Sequence, residues 1–214
     1  IFHNLYINHL RVGKLIANAV DLAGKDGTIT IEEARSLETS LDVVEGFRFD
    51  SGYIASAFIT DEKRNAVKYE DPLILVTDAK LETVEEMMSA LELAAREGRP
   101  LIIVAENIEG QALAALVMNA MRGTLRVAAI KAPRYGEERR NILKDLALSV
   151  GATLVTRENN LKLKDIKLNH FGTAKTIESF KNFTTIVGGK GDLEGVEKQI
   201  ELLKSEIEQT DSIH

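Results

Sequence analysis

The chain of 214 residues contains no cysteine, which excludes disulfide bonds, thiol catalysis and thiolate metal sites. The absence of cysteine fits a reducing compartment. The chain also lacks a long apolar segment. Its longest uncharged stretch, residues 110–121, is about a dozen residues long, whereas a helix needs about 20 to span a bilayer. The sequence therefore predicts a protein that does not cross a membrane.

Basic residues are fewer than acidic ones, with 27 Lys and Arg against 33 Asp and Glu and a formal net charge of −6. A nucleic-acid binder needs a basic face to neutralise phosphates, and no dense Lys/Arg cluster is present, so we expect no nucleic-acid partner. Hydrophobic residues make up 44% of the chain and charged residues 28%, as in ordinary globular domains. The chain begins with Ile1 and has no signal-peptide pattern, so we interpret it as a piece of a longer protein.

Side chains that could carry chemistry are scattered along the sequence. The four histidines lack the i, i+4 spacing of a helical metal site, and neither a G-x-S-x-G motif nor a catalytic carboxylate pair is present. We therefore predict no catalytic residue, no metal site and no cofactor in this chain. The glycine-rich string 188–191 (GGKG) has Gly191 where a phosphate-binding loop needs Ser or Thr. We interpret that string as a hairpin turn.

Strand and helix patterns alternate regularly between residues 73 and 155. Runs of branched apolar residues occur at 73–76, 101–104, 127–130 and 153–155, and helical patterns lie between them at 82–97, 109–122 and 137–149. This alternation predicts βαβ units and a largely parallel sheet with right-handed connections.

The flanking regions have different patterns. An amphipathic helix is expected at 12–23 and a strand at 28–31, with a glycine turn between them, and extended segments are expected at 41–60 and 172–188. The chain ends in a helix with a narrow apolar seam, which we expect to dock on its own domain. That seam consists of Leu193, Val196, Ile200, Leu203 and Ile207.

Two predicted helices, 82–97 and 109–122, have more apolar surface than a single contact with a sheet requires. The apolar positions of the second helix run almost all the way round it. Such a helix is either buried on all sides or presents one apolar stripe to a groove or a partner. The methionines of both helices suit adaptable, low-specificity binding. Periodicity alone leaves both interpretations open.

Several short strings occur in one order along most of the chain, from about residue 12 to 210. They are VGKLIA (12–17), GKDGTIT (24–30), LDVVEG (41–46), FDSGY (49–53), RPLIIVAE (99–106), EGQAL (109–113), MRG (121–123) and KAP (131–133). In this order and spacing they resemble the group I chaperonins (GroEL-like), specifically the apical domain with part of the intermediate domain.

The resemblance implies an α/β fold: an apical-domain-type layered β/β/α fold with βαβ units, plus a small α/β neck segment. Residues 1–45 would be the ascending part of the intermediate domain, 46–192 the apical polypeptide-binding domain, and 193–214 a helix that closes the apical domain toward the intermediate domain. Gly46 would be a hinge. ATP and Mg would belong to an equatorial domain outside this chain, and residues 26–30 (DGTIT) match the intermediate-domain turn rather than a nucleotide site. Whether this chain counts as an enzyme stays open.

In this family the apical domain captures non-native polypeptides on an apolar groove between two helices and assists their refolding. A GroES-like co-chaperonin is a possible second ligand of the same groove, and the full-length protein would form a homo-oligomeric ring. We expect a cytoplasmic location or, alternatively, the mitochondrial matrix or plastid stroma. The groove residues carried over by motif position are Tyr53, Phe58, Met88, Leu91, Leu113, Val117 and Met118.

The sequence departs from the family pattern at several positions. Ala57 stands where the family has an aromatic residue, Ser51 where it has arginine, and Arg134-Tyr135-Gly136 where it has Gly-Phe-Gly. These changes suggest a divergent member. Two other functions remain open: a small-molecule or nucleotide-binding enzyme with its site at the carboxyl ends of the parallel strands, and a purely structural role in an assembly.

Overall fold

A computed structural model of the chain describes residues 46–211. The chain divides into two compact units, Ile1–Glu45 and Gly46–His214. The helix predicted at 12–23, the strand predicted at 28–31 and the proposed intermediate-domain segment 1–45 therefore lie outside the described residues.

The described residues form ten strands and four helices, a mixed α/β fold with several sheets. The strands are β1 (Gly46–Phe49), β2 (Val67–Glu70), β3 (Leu73–Val76), β4 (Lys80–Leu81), β5 (Leu101–Ala105), β6 (Asn107–Ile108), β7 (Val127–Lys131), β8 (Gly172–Thr173), β9 (Thr176–Ser179) and β10 (Thr184–Val187). The helices are α1 (Met88–Glu97), α2 (Gly110–Arg122), α3 (Gly136–Val150) and α4 (Lys190–Asp211). Short 3-10 turns occupy Ser56–Phe58, Glu85–Met87, Leu163–Asp165 and Leu168–His170.

A four-stranded sheet in the order β7-β5-β3-β8 forms the centre of the fold. Strands β3, β5 and β7 run parallel, with Leu73 opposite Leu101 and Leu101 opposite Val127, and β8 closes one edge in the antiparallel direction. Almost every residue of the three parallel strands is buried, as expected for a sheet covered on both faces. The strands predicted at 73–76, 101–104 and 127–130 are confirmed.

The strand predicted at 153–155 is wrong. Only Val155 forms a bridge, in parallel with Thr77, and the Thr153 amide bonds instead to the carbonyl of His170. Strand β8 takes the edge of β3 that a fourth parallel strand would need, because Gly172 and Thr173 pair with Ile74 and Leu73.

The second four-stranded sheet is antiparallel, in the order β1-β10-β9-β2. Burial alternates along β1, with Phe47 and Phe49 buried, and β9 and β10 contribute Ile177 and Ile186 to the same core. The extended segment predicted at 172–188 corresponds to β8, β9 and β10. Of the segment predicted at 41–60, only β1 is a strand among the described residues, and a loop with a 3-10 turn follows it.

The helices at 109–122 and 137–149 are confirmed as α2 and α3, whereas α1 starts later than the pattern at 82–97 predicts. A 3-10 turn, Glu85–Met87, precedes it, and the amide and hydroxyl of Thr83 both donate to the Glu86 carboxylate. Helices α1 and α2 end at Gly98 and Gly123, whose φ values of 64° and 67° suit glycine.

The hairpin turn predicted at 188–191 is also wrong, because α4 begins at Lys190 directly after the strand and two glycines. A Cβ on Gly189 would lie 2.3 Å from the carbonyl oxygen of Ser149, so only glycine lets α4 start this close to the end of α3. The Ser149 hydroxyl donates to the Asp192 carboxylate at 2.6 Å. The first turn of α4 thus already holds a carboxylate and is a poor place for a phosphate.

Candidate functional site

The solvent-facing side of α2 is apolar for more than two turns. Ala112 and Leu116 face the core and are fully buried, whereas Met118 is 49% exposed and Met121 is 74% exposed. No residue of α2 before Arg122 carries a charge. We define the α2 apolar face as the apolar residues on this side that are half-buried or exposed: Leu113, Ala114, Val117, Met118 and Met121.

The inner side of α2 is held by β7 and by the 3-10 turn Ser56–Phe58, both of which contact the helix. Phe58 at the end of that turn is only 1% exposed and belongs to the hydrophobic core. The prediction that Phe58 lines the groove is therefore corrected, because its ring packs in the core and is not accessible to a ligand. The neighbouring Ala57 is exposed instead.

Tyr53 is half-buried in the loop before that turn. Its backbone bridges Ile130 of β7, and the next amide, that of Ile54, donates to the carbonyl of Ala129 at 2.9 Å. Because β7 also contacts α2, the Tyr53 loop and α2 are attached to the same strand. The sheet thus holds Tyr53 on the same strand that α2 contacts.

Helix α1 carries the other two predicted groove residues, and its adjacent methionines have different environments. Met87 is fully buried in the core, whereas Met88 is 43% exposed and Leu91 is half-buried. Another side of α1 is covered by the segment around 163–165, to whose Lys164 carbonyl the Ser89 hydroxyl donates at 2.9 Å. Both Met88 and Leu91 therefore keep exposed surface beside this segment.

The starts of α1 and α2 are tied together by backbone and side-chain bonds. Strands β4 and β6 pair in parallel, and the amides of Glu109 and Ala112 donate to the carbonyls of Leu81 and Glu82, each at 3.0 Å. Lys80 Nζ lies 2.7 Å from Glu109 Oε1. The hydrogen bond from Lys80 lowers the pKa of the Glu109 carboxyl. The same hydrogen bond raises the pKa of the Lys80 ammonium group.

Six of the seven predicted groove residues keep some exposed surface. Leu113, Val117 and Met118 share one side of α2, Met88 and Leu91 lie on α1, and Tyr53 lies beside β7. Sequence reasoning missed Met121, the most exposed large apolar residue of α2, although the i, i+4 spacing from Leu113 through Val117 leads directly to it. Gly46, the predicted hinge, is the first residue of β1 and pairs with Val187.

An open cleft of about 830 Å³ lies at the carboxyl end of β3, where the alternative enzyme site would be expected. Burial raises the pKa of Asp78 in this cleft. The hydroxyl of Thr77 donates to the carbonyl of Val155 at 2.9 Å, and no histidine or serine lines the cleft. No Ser–His pair therefore lines the cleft, and its hydroxyl groups are those of Thr77, Thr83 and Thr156.

Within residues 46–211, no three His, Asp or Glu side chains come close enough to hold a metal ion. In the same part of the chain, none of the helices combines the length and apolarity needed to span a membrane. No protein-family model matches the chain.

Proposed function

We propose that the described part of the chain is the polypeptide-binding apical domain of an ATP-dependent group I chaperonin, which captures non-native proteins and assists their refolding. The observation that carries the proposal is the α2 apolar face, which is exposed and uncharged. It supports the stripe interpretation over complete burial of this helix. The family motifs quoted above, and a mixed α/β fold compatible with a layered apical domain, support it further.

The chemistry of such a site is the removal of apolar surface from water. Transfer of apolar surface contributes about 25 cal/mol per Å² buried, and an unfolded client exposes many segments that can provide it. The flexible thioethers of Met118 and Met121 can adapt to different side chains without a fixed shape. Ordering the client opposes binding, so a single site should be weak, and a ring of sites would supply avidity.

Within this proposal, Leu113, Val117, Met118 and Met121 form one wall of the groove, and Met88 with Leu91 the other. Tyr53 borders the groove, and Phe58 supports it from the core. A GroES-like co-chaperonin, the homo-oligomeric ring and the use of ATP and Mg are proposals for the full-length protein, as is its cytoplasmic, mitochondrial or plastid location.

Fluorescence anisotropy of a labelled apolar peptide, titrated with the protein, tests the proposal. We expect saturable binding that Met118→Ser weakens by about tenfold, since loss of one buried methionine side chain removes about 1.5 kcal/mol. Leu148→Ser is the matched control, because Leu148 is 78% exposed but lies on α3. Circular dichroism should show all three proteins folded. Equal loss in both variants, or no loss in either, would show that the α2 apolar face is not the site.

A further inference from the structure

Charges of opposite sign flank the two ends of the helix pair that carries the groove. Before and at the starts of α1 and α2, carboxylates outnumber basic side chains: Glu82, Glu85, Glu86 and Glu109 against Lys80. At the ends of the helices the balance reverses. Arg96 and Arg122 lie in the last turns of α1 and α2, and Arg126 follows α2.

The first residues of α1 and α2 lie at one end of the groove, and the last residues of both helices lie at the other. Strands β4 and β6 join the starts, as described above. At the opposite end, Arg126 Nη2 donates to the carbonyl oxygen of Gly98 at 2.8 Å, so the end of α1 lies beside the residues that follow α2. Right-handed connections between parallel strands also place both helices on one face of the sheet, running in the same direction.

Neighbouring charges reduce this polarity without cancelling it. At the first end, Lys80 is a single cation between Glu82 and Glu109. Lys162 and Lys164 face Glu85 and Glu86 across the cleft beyond β3, on the side of α1 that the 163–165 turn covers. At the second end, the charge of Glu97 offsets that of the adjacent Arg96, and Arg99 forms an ion pair with Asp71. Glu92 lies midway along α1, and the helix dipoles, positive at the starts and negative at the ends, oppose the side-chain charges. Among the side chains named, four carboxylates against three cations leave one negative charge at the first end, and Arg122 and Arg126 keep the second end positive.

The two ends are far enough apart to act separately. Helix α2 has 13 residues, which corresponds to a length of about 20 Å at about 1.5 Å per residue. The Debye length at physiological ionic strength is about 8 Å. A charge on a bound segment therefore senses the nearer end of the groove much more strongly than the farther end.

We infer that the groove selects apolar segments that carry a basic residue at one end and an acidic residue at the other. The basic residue lies near Glu82 and Glu109, and the acidic residue lies near Arg122, whichever way the segment runs. This inference rests on the proposed function and adds to it a preferred class of client segment and its orientation.

The methionines make the orientation measurable. The chain has four methionines. Met87 is buried, Met88 lies at the acidic end of the groove, and Met121 lies at the basic end. Carbon-13 methyl labelling of methionine therefore gives a simple spectrum with one reporter at each end.

The test uses peptides with one apolar centre, a Lys at one terminus and a Glu at the other, in both chain directions. A nitroxide is attached beside the Lys or beside the Glu. With the nitroxide at the Lys, we expect broadening of Met88 to exceed that of Met121, and with the nitroxide at the Glu, the reverse. This pattern should hold in both chain directions. The mixed-charge peptides should bind about two- to fivefold more tightly than a peptide with Glu at both ends, as expected for exposed charge pairs.

Two controls separate charge from apolar contact. Arg122→Glu should remove the orientation preference and leave the shift of Met118 in place. About 1 M salt, at which the Debye length is about 3 Å, should do the same. Broadening that follows chain direction, or that is equal at Met88 and Met121, overturns the inference while the proposed function stands. If no peptide shifts Met118 or Met121, both fail.

Discussion

Lys80 lies between two carboxylates that belong to different segments: its Nζ is 2.7 Å from Oε1 of Glu109 and 3.4 Å from Oε1 of Glu82. Glu109 immediately precedes α2, and Glu82 lies on the segment that leads into α1. The ammonium group thus bridges the segments that lead into α1 and α2, which the backbone pairing of β4 with β6 already joins.

Replacement of this ammonium group, Lys80→Met, should raise the pKa of the Glu109 carboxyl back toward its ordinary value. The folded-state pKa of Glu109 is lowered, so its contribution to stability is present above the unfolded pKa of about 4.3 and is lost as the pH falls through the folded value. The difference in stability between the parent protein and the variant should therefore shrink on acidification below about pH 4.3. Carbon-13 carboxyl titration and urea unfolding measure the two effects, and an unchanged Glu109 titration in the variant would refute the assignment.

Gly52 approaches the turn between β9 and β10 so closely that a Cβ added to it would lie 1.5 Å from the carbonyl oxygen of Phe180. Backbone cannot move aside as a flexible side chain can, so Gly52→Ala should cost about 3 kcal/mol or more of the free energy of unfolding. Gly195→Ala is the control, because Gly195 lies inside α4 with no atom near its added Cβ. That change should instead stabilise the protein by up to about 1 kcal/mol. Similar effects of the two changes in urea unfolding would contradict the close approach.

Asp78 is a carboxyl whose pKa is raised chiefly by burial, with Arg140 lowering it and Glu158 and Glu106 raising it further. An acid with a raised folded-state pKa destabilises the fold when ionised, and this cost disappears as the pH falls through that pKa. Asp78→Asn should therefore increase the free energy of unfolding at neutral pH, and the gain should fade toward about pH 4. Urea unfolding over this pH range measures the gain. A gain that stays constant with pH would mean that the carboxyl charge is not its source.

Arg134 has a φ of 61°, in the left-handed region that costs a side chain about 1 kcal/mol. Its ion pairs with Asp50 and Glu138, at 4.0 Å and 3.6 Å, are exposed and contribute little. Arg134→Gly, which restores the residue typical of the resembled family, should therefore stabilise the protein by up to about 1 kcal/mol. Arg134→Ala loses the same ion pairs but keeps the Cβ, so it should give no gain. Thermal unfolding in which Ala and Gly behave alike would rule out backbone strain as the cause.

The central sheet could be predicted from sequence because its strands are short apolar runs buried on both faces. The failures arise from contacts between distant residues. The run at 153–155 has strand composition, but Gly172 and Thr173 occupy the edge that it needed. The string 188–191 has turn composition, and only the approach of α3 reveals why those glycines begin a helix.

In the candidate site, too, local patterns were predictable from sequence and contacts between distant residues were not. The α2 apolar face was visible as excess apolar surface, and its helical period extends to Met121. Phe58 could not be separated from the surface residues by sequence, because an aromatic residue in a loop can face either way. Its burial depends on packing in the core beneath α2, which no local pattern encodes.

The most direct test of the central claim is the methionine methyl spectrum of the protein during titration with a chemically unfolded, reduced client protein. Capture on the α2 apolar face predicts saturable shifts of Met118 and Met121, with no change at the buried Met87. Shifts confined to other signals, or a client that binds with Met118 and Met121 unperturbed, would contradict the claim. A simultaneous change at Met87 would also contradict it, because it would mean that the domain itself is altered rather than that its surface is occupied.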